Sequence, residues 1–124
     1  MSYKQKAQEM YAMIGQGKGM EAFEHYYDDN VEMIEATGQH RKGKDENRKF
    51  EQEWFASVQE VHAGGTNAIT SDEESGVTMV ESWMDVTFKD GNRIKMEEIA
   101  RQKWQGDKII EERFYYNAAP PSDN

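Results

Sequence analysis

The sequence contains no cysteine, which excludes disulfide bonds, thiolate metal sites and cysteine nucleophiles. The same absence fits a reducing compartment, so we expect a cytoplasmic protein. Basic residues are also scarce, because 15 Lys and Arg stand against 24 Asp and Glu, giving a net charge of −9. Phosphate groups are bound by basic surfaces, so this balance argues against a nucleic-acid partner and against binding to anionic membranes.

Long hydrophobic runs and cofactor motifs are missing too. No apolar stretch approaches the roughly 18 residues of a membrane span, and residues 1–5 lead into a polar helix rather than a signal peptide. His25, His40 and His62 are isolated from other ligands at metal-binding spacing, so we predict no metal site. The chain has no glycine-rich phosphate loop, dinucleotide fingerprint or nucleophile elbow, and we expect no cofactor.

The pattern of apolar residues predicts helices first and strands later. We predict one domain over residues 1–117 and a flexible tail over 118–124, where both prolines lie. Helical spacing predicts helices over 3–14, 19–27 and 45–58, with Asp45 as the N-cap of the third. Alternation predicts strands over 31–37 and 59–70, followed by three linked strands from Val77 to Asn117. This order indicates an α+β domain whose curved antiparallel sheet and helices enclose one cavity.

The strand over 93–104 sets the inner face of the sheet. Its even-numbered residues are mostly apolar and its odd-numbered residues mostly charged, so the even set faces inward. A three-residue hairpin loop, Lys89-Asp90-Gly91, places the even residues of the preceding strand, including Met84 and Phe88, on the same face. A two-residue loop would bury Glu81 and Asp85 instead, which argues against it.

The inner face also holds polar residues that a plain core would not contain, chiefly Glu98 and Gln102. An unpaired carboxylate in apolar surroundings is costly or binds a proton. Glu98 therefore lies at the cavity mouth, pairs with a donor, or has a raised pKa, and we predict that both residues contact a ligand. On the last strand we favour Ile110, Glu112, Phe114 and Tyr116 as the residues that face inward. The residues on the other face of this strand remain the alternative inward set.

The outer face of the same strands carries apolar residues among charges, namely Met79, Trp83 and Ile99. An apolar patch with a rim of opposite charges predicts a homodimer through Trp83 and Ile99. The alternative is an amphipathic face in contact with solvent.

Four segments carry a resemblance to a known family. They are residues 26–32 (Tyr-Tyr-Asp-Asp-Asn-Val-Glu), the turn 89–91 (Lys-Asp-Gly), residues 104–109 (Trp-Gln-Gly-Asp-Lys-Ile) and residues 113–116 (Arg-Phe-Tyr-Tyr). Over residues 5–117 the chain resembles the SnoaL-like branch of the nuclear transport factor 2-like superfamily, which includes ketosteroid isomerase and polyketide cyclases. The resemblance implies a cone-shaped sheet wrapped around a long N-terminal helix, with one pocket, and commonly a dimer.

The resemblance also implies roles for single residues. Tyr11 falls where the isomerase has a tyrosine on its first helix, and Glu35 falls where it has a carboxylate base. The isomerase's second acid aligns near Ala100, and this departure argues against steroid isomerisation. The alternatives are that Glu35 is a solvated glutamate and that Tyr11 belongs to the core.

We therefore predict a protein that binds a small, largely apolar organic ligand inside the cone. Its chemistry would be cofactor-free proton transfer, as in an isomerase, cyclase or dehydratase, with Glu35 as base and Tyr11 as hydrogen-bond donor. Other residues would line the pocket and orient the substrate: Glu98, Gln102, Trp54, Phe50, Met84, Trp104, Glu112 and Phe114. The alternative is a ligand-binding or dimerisation module without chemistry.

Overall fold

A computed structural model describes residues 1–117, which form three helices and six strands. The expected tail, 118–124, lies outside the described residues. The helices are α1 (Tyr3–Gly15), α2 (Gly19–Tyr26) and α3 (Lys44–Ser57). The strands are β1 (Tyr27–Ile34), β2 (His40–Lys42), β3 (Val58–Asp72), β4 (Val77–Phe88), β5 (Arg93–Gln105) and β6 (Lys108–Tyr115).

The strands form one curved, unclosed sheet in the order β2-β1-β6-β5-β4-β3. All neighbouring strands are antiparallel except β1 and β6, which run parallel. The α+β class predicted from the sequence is confirmed, with this one parallel pair making the sheet mixed. The core lies between the sheet and the helices α1 and α2, where Met10, Phe23, Val31 and Ile109 are buried.

Two predicted element boundaries are wrong. The first strand begins at Tyr27 and ends at Ile34, so Tyr27 belongs to the sheet rather than to α2, and Glu35 follows the strand. The N-cap of α3 is Gly43, not Asp45, which lies in the first helical turn. Gly43 has a φ of +90°, a backbone conformation that disfavours other residues, so the turn before the helix needs glycine there.

The β4–β5 hairpin has the predicted register. Gly91 takes the left-handed position with a φ of +95°, and the Phe88 amide donates to the Asn92 carbonyl at 2.8 Å. Ser82 then pairs with Glu98 and Thr78 with Gln102. Glu98 and Gln102 therefore share a face of the sheet with the other even-numbered residues of β4 and β5.

The register of β6 contains a bulge. Lys103 pairs with Glu111 but Trp104 pairs with Ile109, so Ile110 is the extra residue. The prediction that Ile110 faces inward is therefore wrong, because Ile109 is fully buried in the core and Ile110 is only half-buried. After the bulge, Glu112 pairs with Gln102 and Phe114 with Ala100, so these two residues share the inner face as predicted.

Candidate functional site

A cavity of about 140 Å³ lies between the three helices and the concave face of the sheet. Its apolar wall includes Met10, Ile14, Phe23, Phe55 and Phe114. Its polar wall consists of two tyrosines and three glutamates, which are Tyr11, Tyr27, Glu51, Glu98 and Glu112. The cavity therefore gathers carboxyl groups from α3, β5 and β6 in a largely aromatic enclosure.

The three glutamates have strongly shifted pKa values. Burial raises the pKa of Glu51 to about 7, although nearby Arg41 opposes the shift. Burial, together with the Glu35 and Glu51 charges, raises the pKa of Glu98 to about 7. Burial raises the pKa of Glu112 to about 8, against the effect of two hydrogen bonds that favour its charged form. At neutral pH each of these groups is present in both its protonated and its charged form, because their pKa values lie close to the pH.

Glu112 is the most tightly held of the three. It is 2% exposed, and its Oε1 accepts a hydrogen bond from the Tyr27 hydroxyl. Its Oε2 accepts from Gln102 Nε2 at 2.7 Å. The Gln102 carbonyl in turn accepts from Thr78 Oγ1 at 2.7 Å, and Thr78 Oγ1 accepts from Trp104 Nε1 at 2.9 Å. Gln102 and Trp104 thus lie behind the cavity wall and position Glu112.

Glu98 differs from Glu112 because its carboxyl group is not held by a neighbour. No side-chain hydrogen bond or ion pair of Glu98 or Glu51 is found within residues 1–117. Glu98 is half-buried, and it also borders a more open groove of about 180 Å³ that includes Ser82 and Asn67. Its carboxyl oxygens are therefore free to contact a ligand or to exchange a proton with water.

Tyr11 lines the cavity as a neutral hydroxyl. Burial, and then the Glu112 and Glu98 carboxyl groups, hold the pKa of Tyr11 well above its usual value. Gln102 Nε2 lies 3.5 Å from the Tyr11 hydroxyl oxygen, a long contact in which the tyrosine oxygen can only accept. The Tyr11 hydroxyl proton therefore remains available to a ligand.

Glu35 lies beside the cavity rather than on its wall. Its Oε2 accepts from Arg41 Nη2 at 2.5 Å and its Oε1 from the Tyr116 hydroxyl at 2.9 Å. Arg41 is 3% exposed, its Nε donates to Asn47 Oδ1 at 3.1 Å, and its guanidinium stacks on the Phe50 ring at 3.5 Å. Both Glu35 oxygens are thus engaged, unlike those of Glu98.

The structure brings only part of the predicted site together. Tyr11, Glu98, Glu112 and Phe114 line the cavity. The other predicted residues lie outside the wall that the described residues form. Gln102 and Trp104 are buried behind it, and Phe50 lies under Arg41. Trp54 packs on Phe55 and Phe88, and Met84 pairs with Met96 on the sheet. Their assignment as ligand contacts stays a prediction.

Sequence reasoning missed three residues of this region, Glu51, Tyr27 and Arg41. Glu51 lies four residues before Phe55, so the two share a helix face next to the predicted face of Phe50 and Trp54. This spacing is the feature of the sequence that could have placed Glu51 beside the cavity. Tyr27 was assigned to a helix, and nothing in the local sequence marks Arg41 as buried.

No helix of the described residues is long and apolar enough to cross a membrane. Within residues 1–117, no group of three His, Asp or Glu side chains is arranged to hold a metal ion.

Comparisons with known proteins agree with this architecture. A family model described as a SnoaL-like domain matches residues 1–116. A solved structure of a proposed SnoaL-like polyketide cyclase from Mesorhizobium loti is 29% identical, with a TM-score of 0.82, and the match covers 94% of this chain and 100% of that one. No curated protein matches the sequence significantly.

More distant solved structures share the fold. A proposed polyketide cyclase from Pseudomonas putida is 16% identical with a TM-score of 0.80, over 95% of this chain and 93% of that one. A protein with a ketosteroid isomerase-like fold from Catenulispora acidiphila, solved in complex with trimethylamine, is 13% identical with a TM-score of 0.72, over 89% of this chain and 84% of that one. At these identities the likeness concerns the fold alone.

Proposed function

The chain belongs to the SnoaL-like domain family, and on that premise we propose that it binds a small organic molecule in the cavity and transfers a proton to or from it. The observation that carries the proposal is the meeting of Glu51, Glu98, Glu112 and the Tyr11 hydroxyl around one cavity. The fold alone would not support this proposal, because one fold hosts many functions. The family match to residues 1–116 also supports treating the described chain as one domain. The absence of cysteine fits a cytoplasmic location.

The size of the cavity limits the ligand. Its volume of about 140 Å³ is close to that of an engineered cavity of roughly 150 Å³ that holds benzene. A ligand of about one six-membered ring fits this space with the walls in place. A polycyclic substrate would extend beyond this space or need the helices to move away from the sheet.

We assign the proton transfer to Glu98. A general acid or base works best when its pKa lies near the working pH, and the pKa of Glu98 is raised to about 7. Its carboxyl oxygens carry no side-chain hydrogen bond within the described residues, so they can approach a ligand carbon next to a carbonyl. The Tyr11 hydroxyl would donate to the carbonyl oxygen as negative charge develops there. Glu35 stays an alternative base, although it would first have to leave Arg41 and Tyr116.

Deuterium exchange tests this proposal without knowledge of the natural substrate. Cyclohexanone and 2-cyclohexenone, each one ring in size, are incubated in D₂O at neutral pH, and proton NMR follows the loss of signal from carbons next to the carbonyl. We expect the protein to accelerate exchange and Glu98→Gln to reduce the acceleration by about 100-fold or more. Glu97→Gln, an exposed neighbour that borders the open groove but not the cavity, serves as the matched control and should keep the wild-type rate.

The outcomes separate the candidate bases. A loss confined to Glu35→Gln would transfer the role from Glu98 to Glu35. Full activity of both Glu98→Gln and Glu35→Gln would exclude both residues as the base, and no acceleration with either ketone would remove the proton-transfer step and leave ligand binding as the function.

A second candidate is binding of a small cation without chemistry. The distant relative from Catenulispora acidiphila holds trimethylamine, and carboxyl groups beside aromatic rings favour an ammonium ion. Calorimetry with tetramethylammonium, whose charge is independent of pH, tests this candidate against tert-butanol, a neutral molecule of similar size. Binding of tetramethylammonium that becomes tighter as the pH rises from 6 to 9 would support cation binding. Equal binding of tetramethylammonium and tert-butanol, or no binding of either, would exclude it.

We propose further that the convex face of β4, β5 and β6 pairs two copies of the chain. Met79, Ile99 and Tyr115 are 43%, 41% and 47% exposed there, on three adjacent strands. Trp83, which sequence reasoning placed in the dimer surface, is half-buried beside Gly65 with Lys95 Nζ 4.9 Å from its ring centre. Ile99 is more exposed than Trp83 and is therefore the better candidate for the centre of this apolar patch.

A further inference from the structure

A chain of hydrogen bonds runs behind the cavity from Trp104 to Glu112. The Trp104 indole N–H donates to Thr78 Oγ1 at 2.9 Å, Thr78 donates to Gln102 Oε1 at 2.7 Å, and Gln102 Nε2 donates to Glu112 Oε2 at 2.7 Å. Thr78 and Gln102 are fully buried and Trp104 is 3% exposed. Water therefore cannot replace a missing partner, and each polar group must find its partner within the chain.

The first donor sets the direction of every bond that follows. An indole nitrogen can only donate, so Thr78 Oγ1 must accept from Trp104 and direct its own proton elsewhere. The Gln102 carbonyl is the acceptor within reach of that proton. If the Gln102 amide were rotated by 180°, its NH₂ group would face Thr78, and the buried Thr78 proton would lose its acceptor. A buried donor without an acceptor destabilises the folded state, so the reversed amide is disfavoured.

We propose that Trp104 and Thr78 act as positioning residues that fix the Gln102 amide, hold Glu112 as a hydrogen-bond acceptor and direct the Tyr11 hydroxyl proton into the cavity. With the amide in this orientation, its NH₂ group faces both Glu112 and the Tyr11 oxygen. Neither Thr78 nor Trp104 touches Glu112 through these bonds, so each acts through Gln102.

The ligand then has to present an acceptor to Tyr11. A carbonyl, ether or hydroxyl oxygen suits that position, whereas an ammonium group does not. This consequence for the ligand rests on the proposed function. The orientation of the amide does not, and it is testable in the protein without a ligand.

The first test uses the wild-type protein. Nuclear Overhauser contacts from the Gln102 side-chain amide protons should reach the Tyr11 ring, since the NH₂ group faces the Tyr11 hydroxyl. Strong contacts from those protons to the Thr78 methyl group, without contacts to the Tyr11 ring, would show the reversed amide and overturn the proposal. This measurement holds even where a variant fails to fold.

The second test compares Thr78→Val with Thr78→Ser. Valine keeps the shape but removes the hydroxyl, so the amide is free to turn and Glu112 loses a donor to its charged form. We expect the carboxyl ¹³C titration of Glu112 to move upward by about one pKa unit in Thr78→Val, and to stay at the wild-type midpoint in Thr78→Ser. The other titrating groups around Glu112 are Tyr11 on α1, Tyr27 on β1, Glu51 on α3 and Glu98 on β5, and neither variant removes any of them.

The two variants separate positioning from mere packing. A packing role would lower the thermal stability of Thr78→Val and leave the Glu112 midpoint unchanged. A folded Thr78→Val protein with an unchanged Glu112 titration would therefore overturn the proposal. Because both tests are made without ligand, their failure would leave the deuterium-exchange result for Glu98 unaffected.

Discussion

At the scale of single residues, the defining feature is the ionisation of the cavity glutamates. Burial removes each of them from water, and neighbouring carboxyl groups raise the pKa of each further. Glu112 accepts two hydrogen bonds, yet its pKa is still raised to about 8, so burial outweighs both. A protein that only needed stability would place apolar residues here, since buried carboxyl groups weaken folding whenever they are charged.

These groups predict that stability falls between about pH 5 and pH 8. Their pKa values are higher in the folded protein than in the unfolded chain, so the folded state binds more protons in this window and unfolding becomes easier as the pH rises. Each group contributes a slope of up to about 1.4 kcal/mol per pH unit. The carboxyl groups with lowered pKa values, among them Asp85 and Asp107, act below this window.

Urea unfolding at half-unit steps of pH measures this effect. The wild-type free energy of unfolding should decline across the window, and Glu112→Gln should show a shallower decline. Glu97→Gln, on the exposed face, should follow the wild type. A wild-type stability that is flat or rises from pH 5 to pH 8 would be incompatible with three buried carboxyl groups of raised pKa.

At the scale of the elements, one buried amide joins β2 to the start of α3. Asn47 is fully buried, and its Nδ2 donates to the carbonyls of Gly43 at 2.9 Å and Arg41 at 3.1 Å. Its Oδ1 accepts from Arg41 Nε at 3.1 Å, which orients the guanidinium toward Glu35. The end of β1, the short strand β2 and α3 are thereby fixed against each other, next to the cavity.

Removal of this amide should be costly. Asn47→Ala removes the side-chain hydrogen bonds to the Gly43 and Arg41 carbonyls and leaves the buried Arg41 Nε without its acceptor, and we expect a loss of roughly 2–4 kcal/mol in the free energy of unfolding. Asn92→Ala, in an exposed turn, is the control and should change it by less than about 1 kcal/mol. Urea unfolding at one pH compares the two. Equal, small losses would show that Asn47 does not hold the elements together.

The elements differ in how far the sequence predicts them. The β4–β5 register followed from one turn, because a glycine at the left-handed position of a three-residue loop sets which residues pair across the hairpin. The β6 bulge could not be predicted in this way, because Ile109 and Ile110 are both apolar. Only the packing around Trp104 decides which of the two faces the core. Glu98 and Glu112 were found through their strand faces, whereas Arg41 is buried by a stack on Phe50 and a bond to Asn47 that depend on tertiary structure.

At the scale of the whole molecule, the two faces of the sheet have different roles. The concave face covers the core and the cavity, and the convex face presents apolar side chains to solvent. β3 forms one edge of the sheet, with three irregularities in its pairing with β4 that interrupt regular strand pairing. This edge is therefore poorly suited to strand pairing with a second copy, and the convex face is the better candidate for association.

Sedimentation velocity tests the homodimer. We expect the wild type to sediment as a dimer and Ile99→Arg to sediment as a monomer, because dimer formation would have to take the new charge out of water at the centre of the patch. Ile94→Arg is a matched control, since Ile94 is 45% exposed on the same strand but belongs to the opposite face. A monomeric wild type, or a dimer that persists in Ile99→Arg, would rule out this surface.

The most direct test of the central claim is the carboxyl ¹³C titration of Glu98 in the protein without ligand. We expect a midpoint near 7, in keeping with a pKa raised to about 7 by burial and by the neighbouring Glu35 and Glu51, and a lower midpoint when Glu51→Gln removes one of those charges. A Glu98 midpoint in the ordinary range of about 4–4.5 would mean that its carboxyl group is well solvated, and would contradict an enclosed site built for proton transfer.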